Sequence, residues 1–341
     1  RWKLWFQHRM TVLFQIETGC VKASKSYSLL ADSQSFTQVE SETFDRKVDV
    51  LWVIDNSGSM ATSQSNVAEN FSAFIEDFEQ TKYDFHMAVT TTDAYRVLFT
   101  GKAQQSFLKS SVLTSETPFL QDEFIRAINQ GIAGNGDERA FESIKQTLEN
   151  PENKKFRRAG AFLSIIIVSD EDDFSHPYSQ DANHDYNKVD LYSVQSYYDY
   201  LGNVTQSTET QLNFSVSAIT IDSDFCYKEL SDQWPGRIQG LRYLELAKLT
   251  KGVRASLCSD FAESLKNISR TIMTLSSVFY LTRVPLENTI RVSVNNYNVS
   301  QNSTNGWSYN SSNNSIEFHG SAIPKSGDTL NVDFDPVQVK E

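Results

Sequence analysis

The hydrophobic pattern over residues 47–275 alternates between continuous apolar runs and segments with helical spacing. The run VDVLWVI (48–54) is apolar at all positions but one, as expected for a strand covered by helices on both faces of a sheet. The segment 63–81 differs, because its apolar residues recur at helical spacing. These residues are Val67, Phe71, Phe74, Ile75 and Phe78. The pattern therefore predicts a buried strand followed by an amphipathic helix.

The same alternation continues along the chain to residue 275. We predict strands at 48–54, 84–93, 161–169, 211–221 and 253–257, with 95–101 turning back against the second strand. We predict helices at 63–81, 122–132, 138–149, 189–202, 242–252 and 260–275. Strands that alternate with helices indicate an α/β fold with a doubly wound, mostly parallel sheet. Such sheets bind their ligands beyond the carboxyl ends of the strands.

Residues 276–341 show a different pattern, in which apolar and polar positions alternate. Segments such as IRVSV, NSIEFHG and DTLNVDFD place apolar side chains on one face, and turn-forming stretches such as PKSGD separate them. This pattern predicts a small C-terminal antiparallel β-sandwich domain. The expected division is therefore an α/β domain at 47–275 and a β domain at 276–341.

The composition limits the classes of function. The chain has 341 residues, of which 39% are hydrophobic and 22% are charged, as is typical of a folded protein with two domains. Its formal net charge of -12 argues against nucleic-acid binding, which needs a concentrated basic surface. An acidic surface suits a solvated protein or one that binds cations. No apolar run reaches the length of about 18 residues that predicts a transmembrane helix.

The first twenty residues resemble a bacterial lipoprotein signal. A basic front (RWK), a short apolar stretch and a glycine precede Cys20. The resemblance implies that residues 1–19 are removed, that Cys20 is lipidated, and that the Ser- and Gln-rich residues 20–46 form a tether. The protein would then be exported and lipid-anchored, at the outer membrane, the cell surface or in the periplasm. The alternative is an irregular N-terminal extension with a free cysteine.

Two further cysteines, Cys226 and Cys258, remain once Cys20 is set aside. Neither belongs to a CxxC motif, and no histidine lies at metal-ligand spacing from either, which argues against zinc. In an exported protein such a pair is expected to form a disulfide. In a cytosolic protein the two residues would be buried thiols.

A carboxylate and two hydroxyls follow the first predicted strand, in the sequence DNSGSM. Residues two apart in a loop leaving a strand can face the same point, so Asp55, Ser57 and Ser59 are candidates for one site. Oxygen ligands of this kind suit Mg²⁺ or Mn²⁺ rather than zinc. Asp170, at the end of the strand predicted at 161–169, is the expected second carboxylate. The alternative is that the serines only cap the first helix.

The motif DNSGSM after a buried strand resembles the D-x-S-x-S motif of von Willebrand factor A domains, the fold of integrin I domains. The resemblance covers about residues 46–275. In that family the motif forms a metal-ion-dependent adhesion site. The resemblance implies that four residues hold a divalent cation: Asp55, Ser57, Ser59 and Asp170.

The chain departs from the family at one ligand. The family uses a threonine before the third long helix, where this chain reads GNGDERAF. We expect Glu138, or Asp137 beside it, to reach the cation in its place, or Asp93 at the end of the second strand to substitute. An additional acid would reduce the positive charge that an incoming carboxylate meets, and would favour Ca²⁺. The segments TTD, GNGDER and SDEDD resemble exported bacterial A-domain proteins.

The family resemblance favours a binding function. It implies a module that binds a protein or glycan partner, through an acidic group of that partner, with Mg²⁺, Ca²⁺ or Mn²⁺ as the cofactor. The alternative is a structural subunit of a cell-envelope or surface-appendage assembly. An enzyme is disfavoured, since no histidine lies near Ser57 and no G-x-S-x-G elbow is present. An aspartyl phosphatase would carry an acid at the position of Ser57.

Overall fold

The computed structural model describes residues 38–43, 47–100, 111–178, 185–186, 190–209, 211–232 and 236–337. The predicted signal at 1–19, the lipidation candidate Cys20 and the first part of the predicted tether lie outside the described residues. Among the helices that are described, none combines the length and the apolar character needed to cross a bilayer.

A five-stranded parallel sheet forms the centre of the chain. Its strands are β2 (Lys47–Ile54), β3 (Asp84–Thr91), β4 (Phe162–Val168), β5 (Phe214–Thr220) and β6 (Arg254–Ser256). Their order across the sheet is β3-β2-β4-β5-β6, and each pair of neighbours is parallel. The predicted α/β fold with a parallel sheet is thus confirmed.

Helices cover both faces of this sheet. They are α1 (Ala61–Glu69), α2 (Phe71–Thr81), α3 (Val97–Thr100), α4 (Leu120–Ile128), α5 (Ala140–Glu149), α6 (Val194–Val204), α7 (Asp224–Ser231), α8 (Leu241–Leu249) and α9 (Phe261–Ser276). Alternate residues of β2 point to opposite faces of the sheet. Trp52 belongs to the apolar cluster on one face, with residues of α1, α2, α4 and α9. Val53 belongs to the cluster on the other face, with residues of α5, α6 and α8. This double covering explains why the central strands are nearly continuous apolar runs.

Two local features differ from the predicted helices and strands. The helix predicted over 63–81 is divided at Asn70, whose side-chain amide donates to the Asn66 carbonyl over 2.8 Å. Such local side-chain bonds compete with the helical backbone pattern. The segment 95–101, predicted as a returning strand, begins with a 3₁₀ turn and α3. The antiparallel contact with β3 is made later, between Leu113 and Met87.

Seven further strands form two antiparallel sheets. They are β1 (Gln38–Thr43), β7 (Phe279–Tyr280), β8 (Arg291–Val294), β9 (Tyr297–Val299), β10 (Gly306–Asn310), β11 (Ser315–His319) and β12 (Thr329–Phe334). One sheet has the order β1-β12-β8-β9 and the other β10-β11-β7. Trp307 and Phe318 of the second sheet and Val332 of the first belong to one apolar cluster, which continues into the face of the α/β domain covered by α9.

The strand β1 corrects the prediction for residues 20–46. That region was predicted as a tether, but residues 38–43 pair with β12, with Gln38 opposite Phe334 and Thr43 opposite Thr329. Pairing satisfies the backbone groups that the edge of β12 would otherwise expose. The β region therefore takes strands from both sides of the α/β domain along the sequence, and the predicted span 276–341 leaves out one of them.

Candidate metal centre

The carboxyl ends of the three central strands bring the candidate residues together. Ile54 lies opposite Thr91 of β3 and Val168 of β4. Sheet-like bonding continues one residue further, because the Asp55 N–H donates to the Val168 carbonyl over 2.9 Å. The residue after β2 is thereby placed beside the residues that follow β4. Asp55 and Asp170 meet here, as the sequence predicted from parallel strand ends.

Asp55 is fully buried and both of its carboxylate oxygens accept hydrogen bonds. Oδ1 accepts from the Ser57 backbone N–H at 2.8 Å, and Oδ2 accepts from the Ser169 hydroxyl at 2.7 Å. Burial, followed by the charge of Asp170, raises the pKa of Asp55 to about 7, although the hydrogen bonds from Ser57 and Ser169 oppose the shift. A carboxylate with this environment is stabilised by a nearby positive charge.

The two serines of the motif link Asp55 to Asp170. The Ser57 and Ser59 hydroxyl oxygens are 3.3 Å apart, and the Ser59 hydroxyl donates to Asp170 Oδ1 over 3.0 Å. Helix α1 begins after Met60, and no side chain caps its first turn. The serines are therefore not helix caps, and their hydroxyls belong to the cluster of oxygen atoms at the strand ends.

The loop that carries these residues is held by helix α1 and by residues 131–134. The Gln64 side-chain amide donates to the carbonyls of Asp55 and Gly131, at 2.9 Å each. The Gly134 N–H donates to the Asn56 carbonyl over 2.7 Å, and a Cβ at Gly134 would lie 2.5 Å from that oxygen. Only glycine allows this close approach of two backbones. Nothing in the sequence pattern indicated the role of Gln64.

Of the three residues predicted to replace the family's threonine, two are already paired. Asp137 accepts hydrogen bonds from Nε and Nη2 of Arg139, which is itself fully buried. Asp93 accepts from the Thr91 hydroxyl at 2.7 Å and lies 3.8 Å from Arg96. Asp137 and Asp93 are thus each paired with a residue two or three positions away in the sequence.

Glu138 differs from both. Its side chain is 1% exposed, and neither of its carboxylate oxygens accepts a hydrogen bond from an N–H or O–H group of the described residues. Burial raises its pKa to about 12, reinforced by the charges of Asp55 and Glu171. The electrostatic partners of Glu138 are Asp55 and Glu171, and two carboxyl groups can hydrogen-bond to each other only when one is protonated. Burial likewise raises the pKa of Glu171 to about 8.

Arg237 forms a buried ion pair with Asp170, and the sequence offered no indication of it. Arg237 Nε donates to Asp170 Oδ2 over 2.6 Å, and both side chains are buried. Its two terminal nitrogens donate to the carbonyls of Ser59, at 3.1 Å, and Leu230, at 2.6 Å. Arg237 lies in the segment PGRIQG, 67 residues from Asp170, and no motif marks it.

The donor set fits a hard divalent cation. Carboxyl and hydroxyl oxygens predominate, and neither oxygen of the buried Glu138 carboxyl group has a hydrogen-bond partner among the described residues. Among the residues that the structure describes, no three His, Cys, Asp or Glu side chains surround one point closely enough to ligate an ion by themselves. Serine hydroxyls and water would therefore have to complete the coordination, as is usual for Mg²⁺.

A disulfide joins a helix and a loop at the same end of the sheet. Cys226, in α7 after β5, is bonded to Cys258, which follows β6, across a sequence separation of 32. Cys226 is buried and Cys258 is exposed. The bond ties together the chain segments that follow β5 and β6, which are neighbours at one side of the sheet.

Comparisons with known proteins give structural neighbours only. No protein-family model and no curated protein matches the sequence. One similar solved structure is that of the pilus adhesin SpaC from Lactobacillus rhamnosus GG in its open conformation. The TM-score is 0.44 and the sequence identity is 9%, and the match covers 89% of this chain and 43% of that chain. A second structure of SpaC gives 0.43, with 11% identity over 85% and 39%.

Proximal thread matrix protein 1 from the mussel byssus is also similar, with a TM-score of 0.39 and 12% identity over 72% of this chain and 51% of that one. The chain thus spans about half or less of the length of these three structures. Similarity at this level does not identify a family, and the relation to von Willebrand factor A domains stays a prediction from the motif.

Proposed function

We propose that this protein is a divalent-cation-dependent binding module without catalytic activity. One observation carries the proposal, namely the Glu138 carboxylate that is buried without a hydrogen-bond donor beside Asp55 and Glu171. A buried carboxylate in this position needs either a proton or a cation. Hydroxyl and carboxylate oxygens at the ends of two parallel strands favour the cation.

The residues that would hold the cation are those of the motif together with the acid that replaces the threonine. Asp55, Ser57, Ser59 and Glu138 supply the oxygens, and Asp170 is connected to them through the Ser59 hydroxyl. A bound divalent cation supplies a positive charge that an acidic group of a partner can approach. The protein holds the oxygens in place by buried hydrogen bonds, so little reorganisation is needed on binding.

The surface around the strand ends suits a protein partner. Ile132, in the loop next to Asn56, is 50% exposed, and Phe225 and Leu241, in the segments after β5, are 69% and 58% exposed. Contiguous exposed apolar patches rimmed by polar residues are typical of interaction sites. We propose a protein, or alternatively a glycan, as the partner.

The disulfide supports a location outside the cytosol. Bonds such as Cys226–Cys258 form and persist in oxidising compartments. We propose that the protein is exported and acts in adhesion at the cell surface or in the periplasm, with lipidation at Cys20 as the anchor. Mass spectrometry of the mature N-terminus tests the anchor, because an unmodified peptide spanning 1–20 would contradict it.

Calorimetric titration of the full chain with Mg²⁺, Ca²⁺ and Mn²⁺ tests the cation site. We expect saturable binding that is lost in Asp55→Ala and retained in the matched control Asp84→Ala. Asp84 begins β3, at the opposite end of the sheet, and its side chain is 44% exposed. A wild-type protein that binds none of the three ions would refute the proposal.

A second experiment separates adhesion from a structural role. The immobilised protein is exposed to cell-envelope extracts and to host-cell surface proteins, in magnesium and in chelator. Capture that depends on the cation and is lost in Asp55→Ala supports a binding module. Stoichiometric capture of an envelope protein in both conditions indicates instead a subunit of an envelope assembly.

A further inference from the structure

We propose that Asp173 is a positioning residue of the cation site, which fixes the start of α5 and, through it, the preceding Glu138. This inference rests on the proposed cation binding. It adds a residue that acts through the backbone of another segment and not through a bond to the ion. Four hydrogen bonds to one buried carboxylate carry it.

Helix α5 receives no cap from its own first residues. Arg139 occupies the N-cap position, and its side chain makes no capping bond. The first N–H groups of a helix lack partners within the helix and need acceptors from elsewhere. Asp173 Oδ1 accepts from the Phe141 N–H at 2.9 Å, and the Ser175 hydroxyl oxygen accepts from the Glu142 N–H at 3.1 Å. The loop that follows β4 therefore caps this helix across 32 and 33 positions of sequence.

The carboxylate of Asp173 is itself held firmly. It is fully buried, and its Oδ1 also accepts from the Ser175 hydroxyl at 2.8 Å. Its Oδ2 accepts from the Ser175 N–H at 3.1 Å and from Arg242 Nη2 at 3.3 Å. The neighbouring Asp172 attaches the same loop to α8, because its Oδ1 accepts from the Arg242 N–H at 3.0 Å. The start of α5 is thus bonded to a loop that is anchored independently of it.

Backbone bonds connect this anchored loop to the ends of the neighbouring strands. The Glu138 carbonyl accepts from the Phe174 N–H at 2.8 Å. The Arg139 N–H donates to the Thr92 carbonyl over 3.2 Å, and the Thr92 N–H donates to the carbonyl of Ile54, the last residue of β2, over 3.1 Å. The segment that carries Glu138 therefore lies between the loop after β4 and the ends of β2 and β3.

Glu138 depends on this support because its side chain has none of its own. Neither of its carboxyl oxygens has a hydrogen-bond partner among the described residues, and the side chain is 1% exposed. Its position is therefore set by its backbone and by packing, so a shift at the start of α5 displaces it. Residues that orient a metal ligand without touching the metal typically change metal affinity by about 10–100-fold when they are replaced. We assign Asp173 an effect of this size.

Calorimetric titration of the full chain with Mg²⁺ and Ca²⁺ tests the assignment. Asp173→Ala removes the acceptor of the Phe141 N–H. Asp173→Asn retains one carbonyl oxygen for that N–H but removes the charge that Arg242 faces. The matched control is Asp260→Ala, which removes the cap of a different helix, α9. Asp260 is exposed, and its Oδ1 accepts from the Glu263 N–H at 2.8 Å.

We expect Asp173→Ala to weaken cation binding by about 10–100-fold, and Asp173→Asn to weaken it by less than about tenfold. Both substitutions should lower the midpoint of urea unfolding, since both remove the buried charge. Ser175→Ala, which removes only the second acceptor of α5, should weaken binding less than Asp173→Ala. Asp260→Ala should lower the midpoint and leave the affinity unchanged. Affinity losses that follow the loss of stability in all four variants would overturn the inference.

Hydrogen exchange measured by NMR in chelator provides a readout that needs no ion. Asp173→Ala should accelerate exchange of the Phe141 and Glu142 amides and also of the Arg139 amide, which is bonded to Thr92. Unchanged exchange at Arg139 would refute the positioning role and leave the proposed cation binding intact. A wild-type protein that binds neither cation refutes the proposed function, and the positioning role with it.

Discussion

Arg158 donates from Nε to Asp49 Oδ1 over 2.8 Å, at the end of the sheet opposite the candidate metal centre. Asp49 lies in β2, and its side chain is fully buried. Its other oxygen accepts from the Arg158 backbone N–H at 2.7 Å and from Arg157 Nη1 at 3.0 Å. One aspartate thus compensates two arginines where the central strand begins.

We predict that Asp49→Ala lowers the free energy of unfolding by about 3–5 kcal/mol, because it leaves two arginines without their buried partner. The control is Asp84→Ala. Asp84 is also an ion-pair partner of Arg158, but its side chain is 44% exposed. Its loss should stay below about 1 kcal/mol. Urea unfolding measures both, and equal losses would contradict the account. Cation affinity should be unchanged in each.

The close approach of Gly134 to Asn56 leads to a second prediction. A methyl group at Gly134 would lie 2.5 Å from the Asn56 carbonyl oxygen, so Gly134→Ala should displace the loop that carries Asp55. We expect a loss of stability of about 1–3 kcal/mol, as for other overpacked sites. Cation affinity measured by calorimetry should fall as well.

Gly136→Ala is the matched control for this substitution. No atom lies within 4 Å of the position that its Cβ would take, and its backbone is not left-handed. Its effect on stability should remain within about 0.5 kcal/mol. Similar effects of the two substitutions would show that the Gly134 contact does not position the loop.

The acidic cluster predicts how stability depends on pH in the absence of divalent ions. Burial raises the pKa of Asp55 to about 7 and that of Glu171 to about 8. Between their ordinary pKa values of about 4 and these raised values, the folded protein binds more protons than the unfolded chain. The free energy of unfolding should therefore fall as the pH rises through this window.

Urea unfolding in chelator, between about pH 5 and pH 8, measures this dependence. Asp55→Asn should reduce the slope, since one of the titrating groups is removed. Saturating Ca²⁺ should oppose the fall, because an ion that binds only the folded protein stabilises it by about 2.7 kcal/mol at 100 times its dissociation constant. Stability that rises with pH in chelator would contradict the raised pKa values.

The disulfide predicts a redox-dependent stability. Joining residues separated by 32 positions should stabilise the fold by about 3–4 kcal/mol in the chain-entropy description. We therefore expect the double variant Cys226→Ser, Cys258→Ser to unfold at lower urea concentration than the oxidised wild type. Wild type in reductant should match the variant, and a variant as stable as the oxidised protein would show that the bond contributes little.

Much of the α/β fold followed from local sequence. A strand such as 48–54 must be apolar on both faces to lie between two layers of helices, so its pattern reports its place in the sheet. The meeting of Asp55 with Asp170 followed for a similar reason, because the carboxyl ends of parallel strands share one edge. The division of the helix at Asn70 was not predictable from apolar spacing, which continues through that residue.

The sequence by itself determined the order of strands and helices and the edge of the sheet at which the oxygen ligands gather. Only the tertiary structure decided which acids remain available there. Asp137 and Glu138 are adjacent and chemically similar, yet Arg139 pairs with the first and leaves the second. Arg237 reaches Asp170 across 67 residues. Periodicity arises from neighbours along the chain, whereas ion pairs and the β1–β12 pairing depend on distances that exist only in the folded state.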